Sequence, residues 1–401
     1  MFLRTLTATT LLVTSLSAAA PLTAQNHKTD PIITRNVEFA TQQVGLMVDT
    51  MNTFRQIPSP RTTDEQGRLV FTTLDDWTSG FFPGTLWYLY ELSGDSVWLQ
   101  PAIHYTEGME RIKYYRGNHD IGFMIYCSFG NGLRLTQKAD YKDVIVTAAR
   151  TLCERYRPGA GVIQSWPRQR GWDCPVIIDN MMNLELLFEA TRMSGDSSFW
   201  NIAVSHADQT LKHHYRPDMS CYHVVDYDSE TGAVRSRVTA QGYADSSAWA
   251  RGQAWGLYGY TMCYRYTRDP RYLKQAEAIA RFIFTHPNLP KDLIPYWDYD
   301  VPNIEQEPRD ASAAAITASA LYELSTYVNA KEAKQYKKLA DRIIKSLSSP
   351  NYRATLSTNG YFILMHSTGN KPGPNEVDVP LVYADYYFLE ALKRKRDLEQ
   401  K

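Results

Sequence analysis

The sequence predicts an all-α fold, an (α/α)6 barrel of twelve helices, and two observations lead to this prediction. Apolar residues recur at helical spacing in separate segments along the 401 residues, which is the pattern of an amphipathic helix. Short and long connections alternate between these segments, as expected of antiparallel helix pairs. Six such pairs would close into a ring with all the long connections at one end.

The short connections carry helix stop and start signals. Ser93-Gly94-Asp95, Ser194-Gly195-Asp196 and Arg268-Asp269-Pro270 each stop one helix and start the next. They therefore predict tight turns within the helix pairs. The twelve predicted helices are 36–56, 80–93, 97–113, 121–135, 139–156, 179–194, 197–213, 247–267, 270–286, 310–327, 331–347 and 377–395.

The long connections place reactive side chains at the starts of the even-numbered helices. These residues are Asp76 and Trp77 at the second helix, His119 and Asp120 at the fourth, Asp179 at the sixth, Trp249 and Arg251 at the eighth, and Asp310 at the tenth. An aspartate before a helix is most often an N-cap, but capping does not explain the accompanying Trp, His and Arg. Because helix N-termini attract anions, this shared mouth predicts an acidic sugar as the ligand.

Arg251 and Trp255 are four residues apart and share one helix face. A guanidinium fork beside a flat apolar surface suits a sugar carboxylate. The alternative is that the arginine stacks beside a buried acid. The spacing alone leaves both interpretations open.

Composition excludes several functional classes. Lys plus Arg equals Asp plus Glu at 43 each, so no basic field predicts nucleic-acid binding. No His, Cys or carboxylate cluster has metal-ligand spacing, and we expect neither a catalytic metal nor a cofactor. The cysteines are odd in number and widely spaced, which predicts buried thiols, although one disulfide stays open. They are Cys127, Cys153, Cys174, Cys221 and Cys263.

The N-terminal residues 1–24 have the pattern of a secretory signal peptide. Arg4 is followed by an apolar stretch and then by small residues up to Ala24. No other segment reaches membrane-spanning length. We therefore expect export across the inner membrane to the periplasm, with no membrane attachment after cleavage. Residues 25–401 contain no linker or low-complexity run and are predicted to form a single barrel domain.

Three stretches resemble the signature segments of unsaturated glucuronyl hydrolases, glycoside hydrolase family 88. They are His119–Phe123, Ile178–Asn180 and Arg251–Trp255. The resemblance runs from about Trp77 to the C-terminal helix. It implies the same (α/α)6 barrel and the removal of 4,5-unsaturated uronic acid from the non-reducing end of lyase-generated oligosaccharides.

The resemblance also implies roles for individual residues. Asp179 corresponds to the general acid and base, and Asp120 to a second essential carboxylate. Thr239 joins the sugar-contacting residues if its loop is extended. The other residues that correspond to sugar contacts are His119, Trp77, Trp166, His223, Gln241, Trp249, Arg251 and Trp255.

The implied reaction differs from that of ordinary glycosidases. The substrate's C4=C5 bond is an enol ether, so protonation at C4 followed by water addition at C5 gives a hemiketal that opens and expels the aglycone. One carboxyl can donate the proton and then activate water. Asp120 is expected to act as an electrostatic stabiliser that raises the proton affinity of Asp179. The distance between these carboxyls then does not predict retention or inversion.

A loop before the last helix bears on the choice of substrate. Family members that accept sulfated glycosaminoglycan fragments are thought to use a Ser-x-x-Ser-x-Lys pattern there. Counted back from Lys371, this chain has Gly369 and His366 at the two serine positions, with Ser367 and Thr368 one residue away. Ser367 and Lys371 are therefore predicted to contact substrate. A turn without a ligand is the alternative.

Three rival functions stay open from the sequence. Family 105 unsaturated rhamnogalacturonyl hydrolases, which act on pectin fragments, share the barrel, the reaction and similar aspartates. A sugar epimerase would need paired histidines, for which His119 and His223 are the candidates. A non-catalytic periplasmic glycan-binding protein would not need the two aspartates. The glycan, linkage, sulfation and oligomeric state are not fixed by the sequence.

Overall fold

The computed structural model describes residues 30–400, so the predicted signal peptide lies outside the described residues. Within this range the main elements are twelve helices, α1 to α12, besides short 3-10 turns. α4 contains a central π-helical turn, and α6 is preceded by the 3-10 turn Ile178–Asn183. The helices are α1 Pro31–Met51, α2 Phe81–Ser93, α3 Leu99–Glu107, α4 (Ile121–Ile125, Tyr126–Gly130 and Asn131–Thr136), α5 Asp140–Cys153, α6 Leu184–Ser194, α7 Ser197–His213, α8 Ala250–Thr267, α9 Pro270–Thr285, α10 Ala311–Leu324, α11 Ala330–Leu347 and α12 Val382–Glu399.

The even-numbered helices form an inner ring and the odd-numbered helices surround it. Each even helix contacts the next, and α12 returns to α2, so the ring is closed. α10 is rich in Ala and Ser and is buried along nearly its whole length, as expected of a helix with neighbours on every side. α11 buries only Ala340, Ile343, Ile344 and Leu347. The predicted (α/α)6 barrel is confirmed.

The predicted turns within the helix pairs have the expected geometry. Gly94 and Gly195 follow α2 and α6 with φ of 69° and 76°, a left-handed conformation that glycine adopts without steric cost. The side chains of Asp95, Asp196 and Asp269 each accept a hydrogen bond from the backbone N–H two residues later. Local sequence therefore sets these joints.

Four small antiparallel sheets, which the sequence analysis did not predict, are built from the connections. They are β1 Ser59–Thr63 with β2 Leu69–Thr72, β3 Tyr156–Arg157 with β4 Val162–Ile163, β5 Cys174–Ile177 with β6 Val224–Tyr227 and β7 Val234–Val238, and β8 Ser367–Asn370 with β9 Asn375–Val379. The predicted last helix, 377–395, is wrong at its start, because Asn375–Val379 pairs with Ser367–Asn370 as a strand. The first helix begins at Pro31, five residues before the predicted 36, and ends at Met51.

A layer of aromatic rings divides the barrel interior. It consists of Phe81, Phe123, Trp255 and Tyr387, which are almost completely buried and whose neighbouring ring centroids lie 5.2 to 5.9 Å apart. On one side, at the N-terminal ends of the inner helices, is a cavity of about 250 Å³. On the other side is a cavity of about 820 Å³.

All five cysteines are free thiols, and the prediction that they are buried is confirmed for all except Cys153, which is partly exposed. Along residues 30–400, no helix has both the length and the apolar content needed to cross a bilayer.

Candidate active site

Asp120 and Asp179 both line the smaller cavity. Asp120 immediately precedes α4, and Asp179 lies in the 3-10 turn that leads into α6. Both residues are 8% exposed, and neither side chain caps its helix. The N-cap interpretation therefore does not account for these two carboxyls.

The N-cap interpretation does account for Asp310, whereas Asp76 lies in the turn before α2, whose N-cap position is Gly80. Asp76 accepts a hydrogen bond from the backbone N–H of Thr78 at 2.9 Å and pairs with Arg61. Asp310 accepts from the N–H of Ser312 at 3.0 Å at the start of α10. The four aspartates at the mouth thus divide into two that hold the frame and two that face the cavity.

His119 lies behind Asp120 and is fully buried. Its Nδ1 is 3.4 Å from the side-chain amide nitrogen of Asn183, whose Oδ1 accepts from the backbone N–H of Phe123 at 2.9 Å. This orientation makes Nδ1 an acceptor and leaves the proton on Nε2. That Nε2 is 3.3 Å from Asp120 Oδ1.

His223 has an equivalent relation to Asp179. Its Nδ1 accepts from the backbone N–H groups of Ala240 at 3.0 Å and Gln241 at 3.1 Å, so its proton also lies on Nε2. The Nε2 is 3.7 Å from Asp179 Oδ2. Burial lowers the pKa of both His119 and His223 to about 3. Each carboxyl is therefore faced by a neutral imidazole N–H.

The two carboxyls retain protons more strongly than ordinary aspartates. Burial raises the pKa of Asp179 to about 6, against the opposing positive charge of Arg251. Burial also raises the pKa of Asp120 well above its usual range, and the negative charge of Asp179 adds to this shift. Because the two groups repel each other when both are ionised, ionisation of Asp179 strengthens the hold of Asp120 on its proton.

Of the two interpretations that the sequence left open for Arg251, the structure confirms the arginine that stacks beside a buried acid. Its guanidinium lies 4.4 Å from the ring centroid of Trp249 and pairs with the buried carboxylate of Asp310 at 2.8 Å. It also donates to the backbone oxygens of Thr368 and Gly369 at 2.5 Å. Arg251 nevertheless lines the cavity, and its Nε has no partner among residues 30–400. Arg251 therefore anchors the β8–β9 hairpin, and its Nε–H is left without a partner among these residues.

The predicted tryptophans take different positions. Trp77 and Trp166 line the cavity. Trp255 lies in the aromatic layer beneath it, and its indole N–H has no partner among residues 30–400. Trp249 is 3% exposed, beside His223 at 4.7 Å between ring centroids. Trp77 and Trp166 therefore form walls of the cavity, whereas Trp249 and Trp255 pack around it without lining it.

Gln241 lines the cavity and donates from Nε2 to the backbone oxygen of Gly369 at 3.2 Å. Thr239 does not line it. The loop is not extended at Thr239, whose Oγ1 instead accepts from the N–H of Gly242 at 2.8 Å. The condition for a substrate contact by Thr239 is not met, because its hydroxyl closes the turn.

The hairpin β8–β9 contains the remaining predicted contacts. Ser367 is buried and its hydroxyl has no partner among the described residues. Lys371 pairs with the carboxylate of Glu307, and its ammonium lies 5.6 Å from the ring centroid of Trp297. Asn370, not Lys371, lines the cavity. The charge of Lys371 is therefore already neutralised by the protein.

Sequence reasoning missed several residues of this cavity. Gln169, Arg170 and Asn370 line it, but they lie in connections without a chemical motif. Tyr383 is 1% exposed, with its ring 4.9 Å from that of Trp77 and an unpartnered hydroxyl. Tyr383 lies at the start of α12, and the other mouth residues were identified because they lie at the starts of even-numbered helices. Within residues 30–400, no group of three or more His, Cys, Asp or Glu side chains could hold a metal ion.

Comparisons with known proteins place the chain among enzymes of one kind, although no family model matches it. It is 55% identical over 327 residues to an unsaturated glucuronyl hydrolase of Formosa agariphila, with 80% of each chain covered. It is 31% identical over 368 residues to an unsaturated chondroitin disaccharide hydrolase of Streptococcus pyogenes serotype M1, with 90% of each chain covered.

Solved structures agree with the sequence comparisons. An unsaturated glucuronyl hydrolase specific for heparin matches with a TM-score of 0.89 at 45% identity, covering 93% of this chain and 99% of that one. The unsaturated glucuronyl hydrolase of Bacillus sp. GL1 matches with a TM-score of 0.84 at 29% identity, covering 90% and 96%. Since a relative with more than half of its aligned residues identical spans most of both chains, this protein belongs to the unsaturated glucuronyl hydrolases, glycoside hydrolase family 88.

Proposed function

We propose that this glycosidase removes 4,5-unsaturated uronic acid from the non-reducing end of lyase-generated oligosaccharides, with glycosaminoglycan fragments as its substrates. The observation that carries the proposal is the pair Asp120 and Asp179. These carboxyls are buried, have raised pKa values, and each faces a neutral imidazole N–H. The cavity around them is lined by Trp77 and Trp166, which suits one sugar ring.

Asp179 is assigned the proton transfers. Its protonated carboxyl gives a proton to C4 of the enol ether, and the positive charge that develops is shared between C5 and the ring oxygen. The carboxylate that remains takes a proton from water as the water oxygen bonds to C5. The hemiketal then opens at the C5–O5 bond, and the hemiacetal left at C1 releases the aglycone as an alcohol. Asp179 ends the cycle protonated.

Asp120 and the two histidines influence how readily Asp179 loses and regains its proton. A carboxyl with pKa about 6 is protonated in a useful fraction of molecules near neutral pH. The Nε2–H of His223 faces Asp179 Oδ2 and stabilises the carboxylate once its proton has left. When Asp120 is ionised, its negative charge repels a second carboxylate in the cavity and favours the return of the proton to Asp179.

The uronate carboxylate is assigned to donors that have no partner within the protein. Among residues 30–400 these include Arg251 Nε, Trp255 Nε1 and the hydroxyl of Tyr383. Buried donors without partners are costly, and an anionic ligand would satisfy them. This accounts for a preference for an acidic sugar in a chain without net charge.

The test measures loss of the ultraviolet absorbance of the conjugated uronate on unsaturated disaccharides from chondroitin, heparin and pectin lyases. We expect turnover of the first two in wild type and in Asp49→Asn, an exposed carboxylate on α1, but not in Asp179→Asn. Turnover of the pectin product alone would favour the family 105 activity. Binding without turnover of any substrate would favour a glycan-binding protein.

A further inference from the structure

The connection between β4 and β5, residues 164–173, forms one side of the cavity opening. Trp166 and Trp172 stack within it, with ring centroids 6.0 Å apart and planes 20° apart. Trp166, Gln169 and Arg170 line the catalytic cavity, whereas Trp172 lines a separate groove outside it. The connection therefore extends from the catalytic cavity to the outer surface.

Arg170 is held at this opening by its backbone. Its φ is 51° and that of the following Gly171 is 77°, so two successive residues are left-handed. Its guanidinium carbon lies 5.6 Å from the ring centroid of Trp172. Unlike Asp120 and Asp179, Arg170 is exposed. A sugar next to the buried uronate would therefore reach it.

The charge of Arg170 is not neutralised by any carboxylate within residues 30–400, and it donates no hydrogen bond there. Other cations around the opening are paired. Arg251 pairs with Asp310, Lys371 pairs with Glu307, and Arg168 pairs with Asp173 at 2.6 Å. An exposed, unpaired guanidinium on the cavity wall is suited to an oxyanion of the ligand.

We infer that Arg170 is a specificity-determining residue that binds a sulfate on the sugar following the unsaturated uronate, with Trp166 and Trp172 as the apolar platform for that sugar. The inference rests on the proposed function. It assigns sulfate recognition to the β4–β5 connection, whereas the sequence assigned it to Lys371. The structural reason is that Lys371 already has a carboxylate partner.

The experiment compares kcat/KM on a sulfated and an unsulfated unsaturated disaccharide for wild type and four variants. Arg170→Ala is expected to lose about tenfold or more on the sulfated substrate, the order of a charge-assisted hydrogen bond, and less than about twofold on the unsulfated one. Arg170→Lys should recover part of the loss. Added salt should weaken the wild-type preference and leave Arg170→Ala nearly unchanged.

Arg168→Ala is the matched control, because it removes a guanidinium from the same connection that is already paired and does not line the catalytic cavity. Lys371→Ala tests the rival assignment. A selective loss in Lys371→Ala with none in Arg170→Ala would overturn the inference, as would equal losses on both substrates in Arg170→Ala or no sulfate preference in wild type. Failure of wild type to consume either disaccharide would instead overturn the proposed function.

Discussion

The two ends of the barrel contain cavities of opposite character. The cavity beyond the aromatic layer, about 820 Å³, is larger than the catalytic one, about 250 Å³. It is also rich in charged and aromatic side chains. Size and composition alone would favour the end opposite Asp120 and Asp179 as the binding site.

At the larger cavity, the buried charges satisfy one another. Arg265 pairs with both Glu185 and Glu323, and Arg394 pairs with Glu323 at 2.9 Å. Glu390 accepts hydrogen bonds from Tyr88 and Tyr258, each at 3.0 Å. This network ties five of the inner helices together, α2, α6, α8, α10 and α12, and leaves few groups to bind a ligand.

At the smaller cavity, in contrast, several buried polar groups have no partner among the described residues. Buried polar atoms without partners in the described part of the chain include Asp179 Oδ2, His119 Nε2, His223 Nε2, Arg251 Nε, Trp255 Nε1 and the Tyr383 hydroxyl. Such groups cost stability unless a ligand satisfies them. We therefore assign the active site to the smaller cavity because these six atoms lie together at it, and not because of its volume.

The largest expected effect is at the catalytic end. Asp179→Asn keeps the shape of the side chain but cannot donate the proton, so we expect the rate to fall by about 10² to 10⁴-fold while substrate binding is nearly intact. Steady-state kinetics and calorimetric titration measure the two quantities. A variant that keeps more than about a tenth of the wild-type rate would show that another group is the acid.

The matching change at the opposite end should affect stability instead. Although burial opposes it, Arg265 and Arg394 lower the pKa of Glu323 to about 2. Glu323→Gln removes the carboxylate that both guanidinium groups share and leaves Arg265 with Glu185 and Arg394 with Glu390, so we expect the free energy of unfolding to fall by about 1.5 to 3 kcal/mol. The kcat should stay within about twofold. Denaturant unfolding measures the loss, with the exposed Glu65→Gln as the control.

The pH dependence of activity and of stability tests the assignment of Asp179 further. Because the reaction uses protonated Asp179, kcat/KM should fall as pH rises through about 6. The folded-state pKa lies above the unfolded value, so the contribution of Asp179 to stability is present at low pH and is lost as pH rises through about 6. Asp179→Asn should therefore gain stability relative to wild type between pH 4 and pH 8. Thermal unfolding at both pH values checks this, and an unchanged difference would contradict the assigned pKa.

The smallest expected effect comes from removing a tyrosine hydroxyl at either end of the barrel. Tyr383→Phe removes a hydroxyl that has no partner in the described residues, and we expect a loss of about 3 to 10-fold in kcat/KM without loss of stability. Tyr322→Phe, at the opposite end, removes a hydroxyl that donates to Asp341 at 2.7 Å. That variant should lose stability and keep its activity. The reverse pattern would contradict the distinction between the two cavities.

Local signals in the sequence were sufficient for the joints within the helix pairs, and the pattern of helix starts placed Asp120 and Asp179 at one mouth. Glycine stops and aspartate caps act within a few residues, so the turns at Gly94 and Gly195 follow from sequence alone. The start of the first helix was also signalled, since Asp30 accepts from the N–H of Ile32 and Pro31 follows it. The prediction placed this helix five residues too late because it followed apolar spacing alone.

Partners far apart in the chain could not be predicted. Asp310 is 59 residues from Arg251, and Glu307 is 64 residues from Lys371. Which cation is neutralised therefore depends on how the ring closes. Residues 377–379, the end of strand β9, were likewise predicted as helix, because the pairing of this strand with Ser367–Asn370 forms across a turn that periodicity does not report.

The aromatic layer has a kinetic consequence. Phe81, Phe123, Trp255 and Tyr387 close the catalytic cavity from below, so the mouth serves as both entrance and exit. The aglycone lies nearer the opening and must leave before the opened uronate behind it. Product release is then ordered, and we expect the free keto-uronate to inhibit competitively with substrate, while the released aglycone inhibits noncompetitively. Because the cavity has one opening, the two products leave in a fixed order.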